Sequence, residues 1–184
     1  MNQALDHGRN AVKRNRIILG IVLMALFVPL WGCYESDFPL GPSAAGTIDP
    51  GLLGTWRCVQ GDPGQNKLIL ITAVRFDDKQ YYIGVTMEGE KPIHYRAYSS
   101  SVKNTTLLNV QELKHKTEPP DQKWFFVRYT LLRQNILQVE IVKDKPFKNI
   151  DSSAEAIKKV VDRMVERPEL YQDYCVCTKV VEKE

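Results

Sequence analysis

Residues 67–88 read Lys67-Leu68-Ile69-Leu70-Ile71-Thr72-Ala73-Val74-Arg75-Phe76, then Asp77-Asp78-Lys79, then Gln80-Tyr81-Tyr82-Ile83-Gly84-Val85-Thr86-Met87-Glu88. On either side of a three-residue polar turn the side chains sort by every second position, the period of an extended chain and not the 3.6 of a helix. In the first run Leu68, Leu70, Thr72, Val74 and Phe76 share a face; in the second Tyr81, Ile83, Val85 and Met87 do. Two strands joined by so short a turn pair antiparallel.

The same pattern spreads outward from this hairpin. Upstream, Leu53 to Val59 forms a strand that ends in the turn-rich Gln60-Gly61-Asp62-Pro63-Gly64-Gln65-Asn66. Downstream, Gly89-Glu90-Lys91 leads into Pro92 to Ser100, with Ile93, Tyr95 and Ala97 aligned, and Lys103-Asn104 turns the chain into Thr105 to Glu112. After a polar loop, His115 to Gln122 with Pro119-Pro120, come Trp124 to Leu132 (Phe125, Val127, Tyr129 and Leu131 on one side) and Ile136 to Val142 (Leu137, Val139 and Ile141 inward). Consecutive alternating strands on short turns make an antiparallel meander with one buried face. Seven strands leave two raw edges. Asp173 to Val181 supplies an eighth, and eight strands are enough to close a small barrel, either filled or holding one small ligand. One amphipathic helix precedes that last strand. Ser152-Ser153-Ala154-Glu155 has capping-box spacing, Ala156, Ile157, Val160, Val161 and Met164 fall on one face, and Pro168 stops it. Its polar face mixes both signs of charge, which predicts packing on its own domain and not on a membrane.

The chain before the strands is of another kind. Ile17 to Trp31 carries no charge and follows Arg9, Lys13, Arg14 and Arg16, which is the pattern of an export signal. Fifteen helical residues reach about 22 Å, short of a roughly 30 Å hydrocarbon layer, so a spanning helix fits less well than a cleaved signal. Leu30-Trp31-Gly32-Cys33 resembles the lipobox of bacterial lipoproteins, with a bulky Trp31 at a position where that family rarely carries one. The resemblance implies a signal peptide over 1–32 and a mature chain starting at Cys33, which bears a diacylglycerol and usually a third, palmitate-like chain. It also implies anchorage in the bacterial cell envelope. Tyr34 stands where enteric inner-membrane lipoproteins have Asp, which favours the outer membrane. Residues 33–50, rich in Pro, Gly and Ser and without period, are expected to be a flexible tether, with 51–184 as the folded domain.

Gly54-Thr55-Trp56, after Asp49-Pro50-Gly51-Leu52-Leu53, resembles the G-x-W that opens the first strand of lipocalins and related calycin barrels. The resemblance implies a lipocalin-like barrel whose Trp56 plugs the closed end. The Thr-Asp-Tyr motif of that family is absent, and the helix precedes the last strand where lipocalins place it after. Closure would bring the first strand to the last. Cys58 would then bridge Cys175 or Cys177 across the seam, closing a loop worth up to about 4.7 kcal/mol by chain entropy and more often 2–4. With Cys33 lipidated, three cysteines remain in an oxidising compartment, so one thiol is left over.

The balance of charge narrows the partners. The net +3 comes from the export segment: residues 1–32 hold four of the 25 Lys+Arg and one of the 22 Asp+Glu, leaving 21 of each. A neutral domain has no basic excess for phosphates, so nucleic acid is not an expected partner. Cys175-Val176-Cys177 is a C-x-C that no other motif completes into a zinc site. His94 and His115 are the only histidines beyond the export segment, and neither belongs to a Ser-His-Asp set or His-x-x-x-His motif. No catalytic residue, cofactor or metal is expected. Two functions remain. The barrel binds a small apolar molecule or lipid, with Trp56, Tyr81, Val85, Tyr95, Phe125 and Tyr129 as inward candidates. Alternatively it is filled and engages an envelope protein, as an assembly factor or hydrolase inhibitor does.

Overall fold

The computed structural model describes residues 33–60, 67–113 and 123–181. The export segment, the turn at 61–66, the whole polar loop His115 to Gln122 and residues 182–184 lie outside the described residues.

Eight strands form where alternation places them, within two residues at either end: β1 (Gly54–Gln60), β2 (Lys67–Arg75), β3 (Tyr81–Met87), β4 (Ile93–Val102), β5 (Thr105–Glu112), β6 (Trp124–Arg133), β7 (Ile136–Val142) and β8 (Tyr171–Lys179). Each pairs antiparallel with its neighbour in sequence, and β8 returns to β1 to close the barrel. At the seam Trp56 faces Lys179, Cys58 faces Cys177 and Val59 faces Val176. Cys58 and Cys177 are joined in a disulfide across 119 residues of sequence, while Cys175 is a buried free thiol.

The helix α1 (Ala154–Met164) sits between β7 and β8 in sequence. Its cap is Ser153, whose Oγ accepts from the Ala156 amide at 3.3 Å. The third helical position is therefore Ala156 and not Glu155, and the reciprocal bond of a capping box is not made. Ile157, Val160 and Val161 are buried, in one core with Leu107, Phe126 and Val142 from strands β5, β6 and β7. The inward residues of the same strands (Leu108, Val127, Leu137) belong to a second core inside the barrel with Trp56, Ile69 and Tyr81. Half of the wall is thus buried on both faces. On its outer side Arg128 donates to both carboxylate oxygens of Glu140 at 2.6 Å, under the Tyr171 ring 3.6 Å from the guanidinium carbon.

The expected tether is corrected. Residues 33–50 are not a free tether but a strap laid along the barrel. The Tyr34 amide donates to the Val142 carbonyl at 3.0 Å, and Ser36 and Trp124 exchange both backbone bonds at 2.7 Å. Leu40 N donates to Asn109 Oδ1 at 2.7 Å, and Ser99 Oγ donates to the Thr47 carbonyl at 2.9 Å. Buried polar side chains of the wall need partners, and the strap's backbone supplies them. Tyr34 meanwhile stacks on Phe147 with ring centroids 3.7 Å apart, and Phe38 is left exposed. In β2 the alternation holds, and the structure decides which face turns in. The face that carries Leu68, Leu70, Val74 and Phe76 points outward, with Phe76 57 % exposed, and the buried side is Ile69 and Ala73 with the half-buried Ile71. Both faces of this strand are apolar, so period two alone does not say which one turns in.

Candidate functional site

The interior is hollow. A cavity of about 350 Å³ runs up the barrel, and all six inward candidates, Trp56, Tyr81, Val85, Tyr95, Phe125 and Tyr129, line it. Its walls are aliphatic, with Ile71, Ile83, Val110, Val139 and Ile141 among them. Volumes of this size, mostly apolar with a few polar groups, are those of small-molecule sites.

One end is built shut. Gly54 takes φ +122°, open to glycine but strained for any side chain, and a Cβ there would also sit 3.0 Å from Lys179 Cε. This turn drops Trp56 into the floor, where its indole N–H donates to the Leu52 carbonyl at 2.9 Å and Lys179 Nζ stands 5.1 Å from the ring. Asp49 ties the floor together. Its amide donates to the Tyr81 hydroxyl at 2.5 Å, one carboxylate oxygen accepts from Gly51 N at 2.8 Å, and the other accepts from Tyr129 OH at 3.2 Å. Burial first, and then the Asp49 charge, push the Tyr129 hydroxyl far above its ordinary value, so it stays a donor.

The other end gathers different residues. Here β3 finishes at Met87, β5 at Glu112 and β7 at Val142, and the strap begins: Cys33 bridges to Lys143, and Cys33 and Glu35 both line the cavity. Tyr174 joins them through a bulge. Val139 pairs with Cys175 but Glu140 with Asp173, so Tyr174 is the extra residue and lines the cavity although its neighbour Cys175 is also buried. Burial and the nearby Glu35 push the Cys33 thiol up to about 11, and burial with Glu112 pushes Tyr95 to about 12. Neither ionises near neutral pH.

The remaining candidates fall elsewhere. His94 is on the outer face, its Nδ1 2.7 Å from the Tyr82 hydroxyl. The ligand-type sulfurs of Cys58, Cys175 and Cys177 lie within 4.8 Å of one another. Two of them are joined, and burial pushes the third, Cys175, up to about 12, so this cluster is a disulfide with a neutral thiol 3.6 Å from Cys177 Sγ. Cys33 and Glu35 as cavity residues, and Tyr174, were missed from sequence. Nothing local marks a bulge, whereas Asp49 ahead of Pro50-Gly51 carries a readable turn signal. No protein-family model matches the chain, and neither a curated protein nor a solved structure matches it.

Proposed function

We propose that the chain is a bacterial lipoprotein, anchored in the cell envelope by acyl chains on Cys33, whose barrel holds a small hydrophobic molecule or lipid. The observation that carries the ligand half is the apolar cavity, because an empty space of about 350 Å³ lined by Ile, Val, Phe and Tyr is costly to leave unfilled. The anchor half rests on the basic and apolar segment ending in Leu30-Trp31-Gly32-Cys33. The protein is read as a binder and not an enzyme, with the outer membrane as its place because Tyr34 follows the cysteine. The hollow interior favours this reading over the competing one, a filled barrel that engages an envelope protein as an assembly factor or hydrolase inhibitor does.

Native mass spectrometry of the Cys33→Ser protein, which carries no acyl chain of its own, tests whether the cavity takes an apolar chain. The expected result is one added fatty acid or phospholipid retained by Cys33→Ser and lost when Val139→Trp fills the cavity from its wall. A folded Cys33→Ser barrel that takes up no added fatty acid or phospholipid would overturn the ligand reading.

A further inference from the structure

The strap brings the proposed lipid attachment point to the wall of the cavity. Cys33 is half-buried, is fixed by its bridge to Lys143 and lines the same space as Tyr95 and Phe125. No free tether separates Cys33 from the barrel. We propose that the cavity's occupant is one of the acyl chains carried by Cys33 itself, folded back into the barrel. This rests on the reading of Cys33 as lipidated and names the ligand of that site.

Size supports one chain and not several. From Tyr81 to Met87 the lining of β3 rises six residues, about 20 Å along the strand and roughly 15 Å along the axis of a tilted barrel. One acyl chain spans half of a hydrocarbon layer of about 30 Å, which is the same 15 Å. At roughly 30 Å³ per methylene-sized group, taken from the volume of a water molecule, 350 Å³ holds on the order of a dozen such groups. Anchorage survives the loss of one chain, because two chains remain in the bilayer and two are enough for stable attachment. The transfer itself is nearly even, since the chain passes from one hydrocarbon environment to another. A tethered chain also enters at high effective concentration, so a free lipid competes poorly for the same space.

The test is photo-crosslinking of the full chain in its host membrane, with p-benzoylphenylalanine placed at Phe125, at Tyr95 in a second variant, and at the outward Leu68 as control. After irradiation and digestion, the expected product joins the labelled peptide to the Cys33 peptide through its acyl chain. It should form at 125 or 95, be at least tenfold weaker at 68, and disappear in Cys33→Ser. If the inner positions capture a free lipid instead, the cavity binds a ligand but not its own chain, and only this inference fails. If they capture no lipid while the Cys58–Cys177 bond shows the barrel folded, the ligand reading fails with it. A Cys33 peptide of unmodified mass removes the anchor on which both depend.

Discussion

The outer faces of the two halves of the barrel are built on opposite terms. Around β4 to β7 the outward residues Tyr98, Leu107, Phe126 and Val142 are buried beneath α1 and the strap. Around β1, β2 and β8 the outward residues Val59, Leu68, Leu70 and Val176 meet water, and Val59 pairs with both Leu68 and Val176 to make one continuous apolar stripe. Inside, the two halves are alike. The difference therefore comes from which chain segment is laid over a strand and not from the strand's own alternation. A sheet covered on both faces needs apolar residues on both, yet β2 has them without the cover.

The largest contrast should appear in single truncations. Phe126 is fully buried between the wall and α1, so Phe126→Ala should cost about 3–5 kcal/mol in denaturant unfolding. An equal loss from truncating an exposed residue of the stripe would show that something covers the bare half in the protein as it exists.

The bare half also contains the seam, and there the closure is covalent. Cys58→Ser should lower stability by about 2–4 kcal/mol, measured by urea midpoint under non-reducing conditions. Cys175 cannot rescue it as a partner for Cys58, because Cys58 is the residue removed. A loss no larger than a few tenths would mean that strand pairing between β1 and β8 holds the barrel shut alone.

Much of this fold was legible in the chain. The strand boundaries, the closure and the helix before β8 follow from alternation, turn chemistry and Pro168, all of which are local. The cavity lining was legible where one face of a strand is clearly more apolar, as with Tyr81, Val85 and Tyr95. It was not legible in β2, where Leu68 and Ile69 are equally greasy and only the register with β1 and β3 decides. The strap was hidden for a different reason. Its backbone bonds go to Asn109, Ser99 and Tyr81, residues far along the sequence, so no period within 33–50 could announce them. Tyr174 enters the cavity through a bulge, which is a mismatch between two strands and a property of neither.

The clad half should respond to alkali. Burial holds the Tyr171 hydroxyl protonated up to about 12 in the folded protein, where it donates to the Val165 carbonyl at 2.5 Å, while an unfolded tyrosine ionises near 10. Between those values the folded chain binds more protons than the unfolded one, so stability is full below about pH 10 and falls as pH rises toward 12. Denaturant midpoints measured across that range should decline, and Tyr171→Phe should remove part of the slope while lowering stability at neutral pH through the lost hydrogen bond. An unchanged slope in Tyr171→Phe would assign the decline to the other tyrosines that burial shifts upward, Tyr34, Tyr81, Tyr95, Tyr98, Tyr129 and Tyr174.

The smallest expected effect tests the bare half directly. Leu68 is 50 % exposed and makes no part of either core, so Leu68→Ser should shift stability by less than about 0.5 kcal/mol. Leu70→Ser beside it should behave the same way, and the pair should add without coupling if only water lies over them. Exposed stripes of β-branched and leucine residues on neighbouring strands are where unwanted association starts. The same two substitutions should therefore raise the concentration at which the protein stays monodisperse in light scattering, even as the unfolding curve stays put. If the two substitutions instead cost stability, and the wild type alone grows more stable as protein concentration rises, the stripe is an interface whose second face is another copy of the chain.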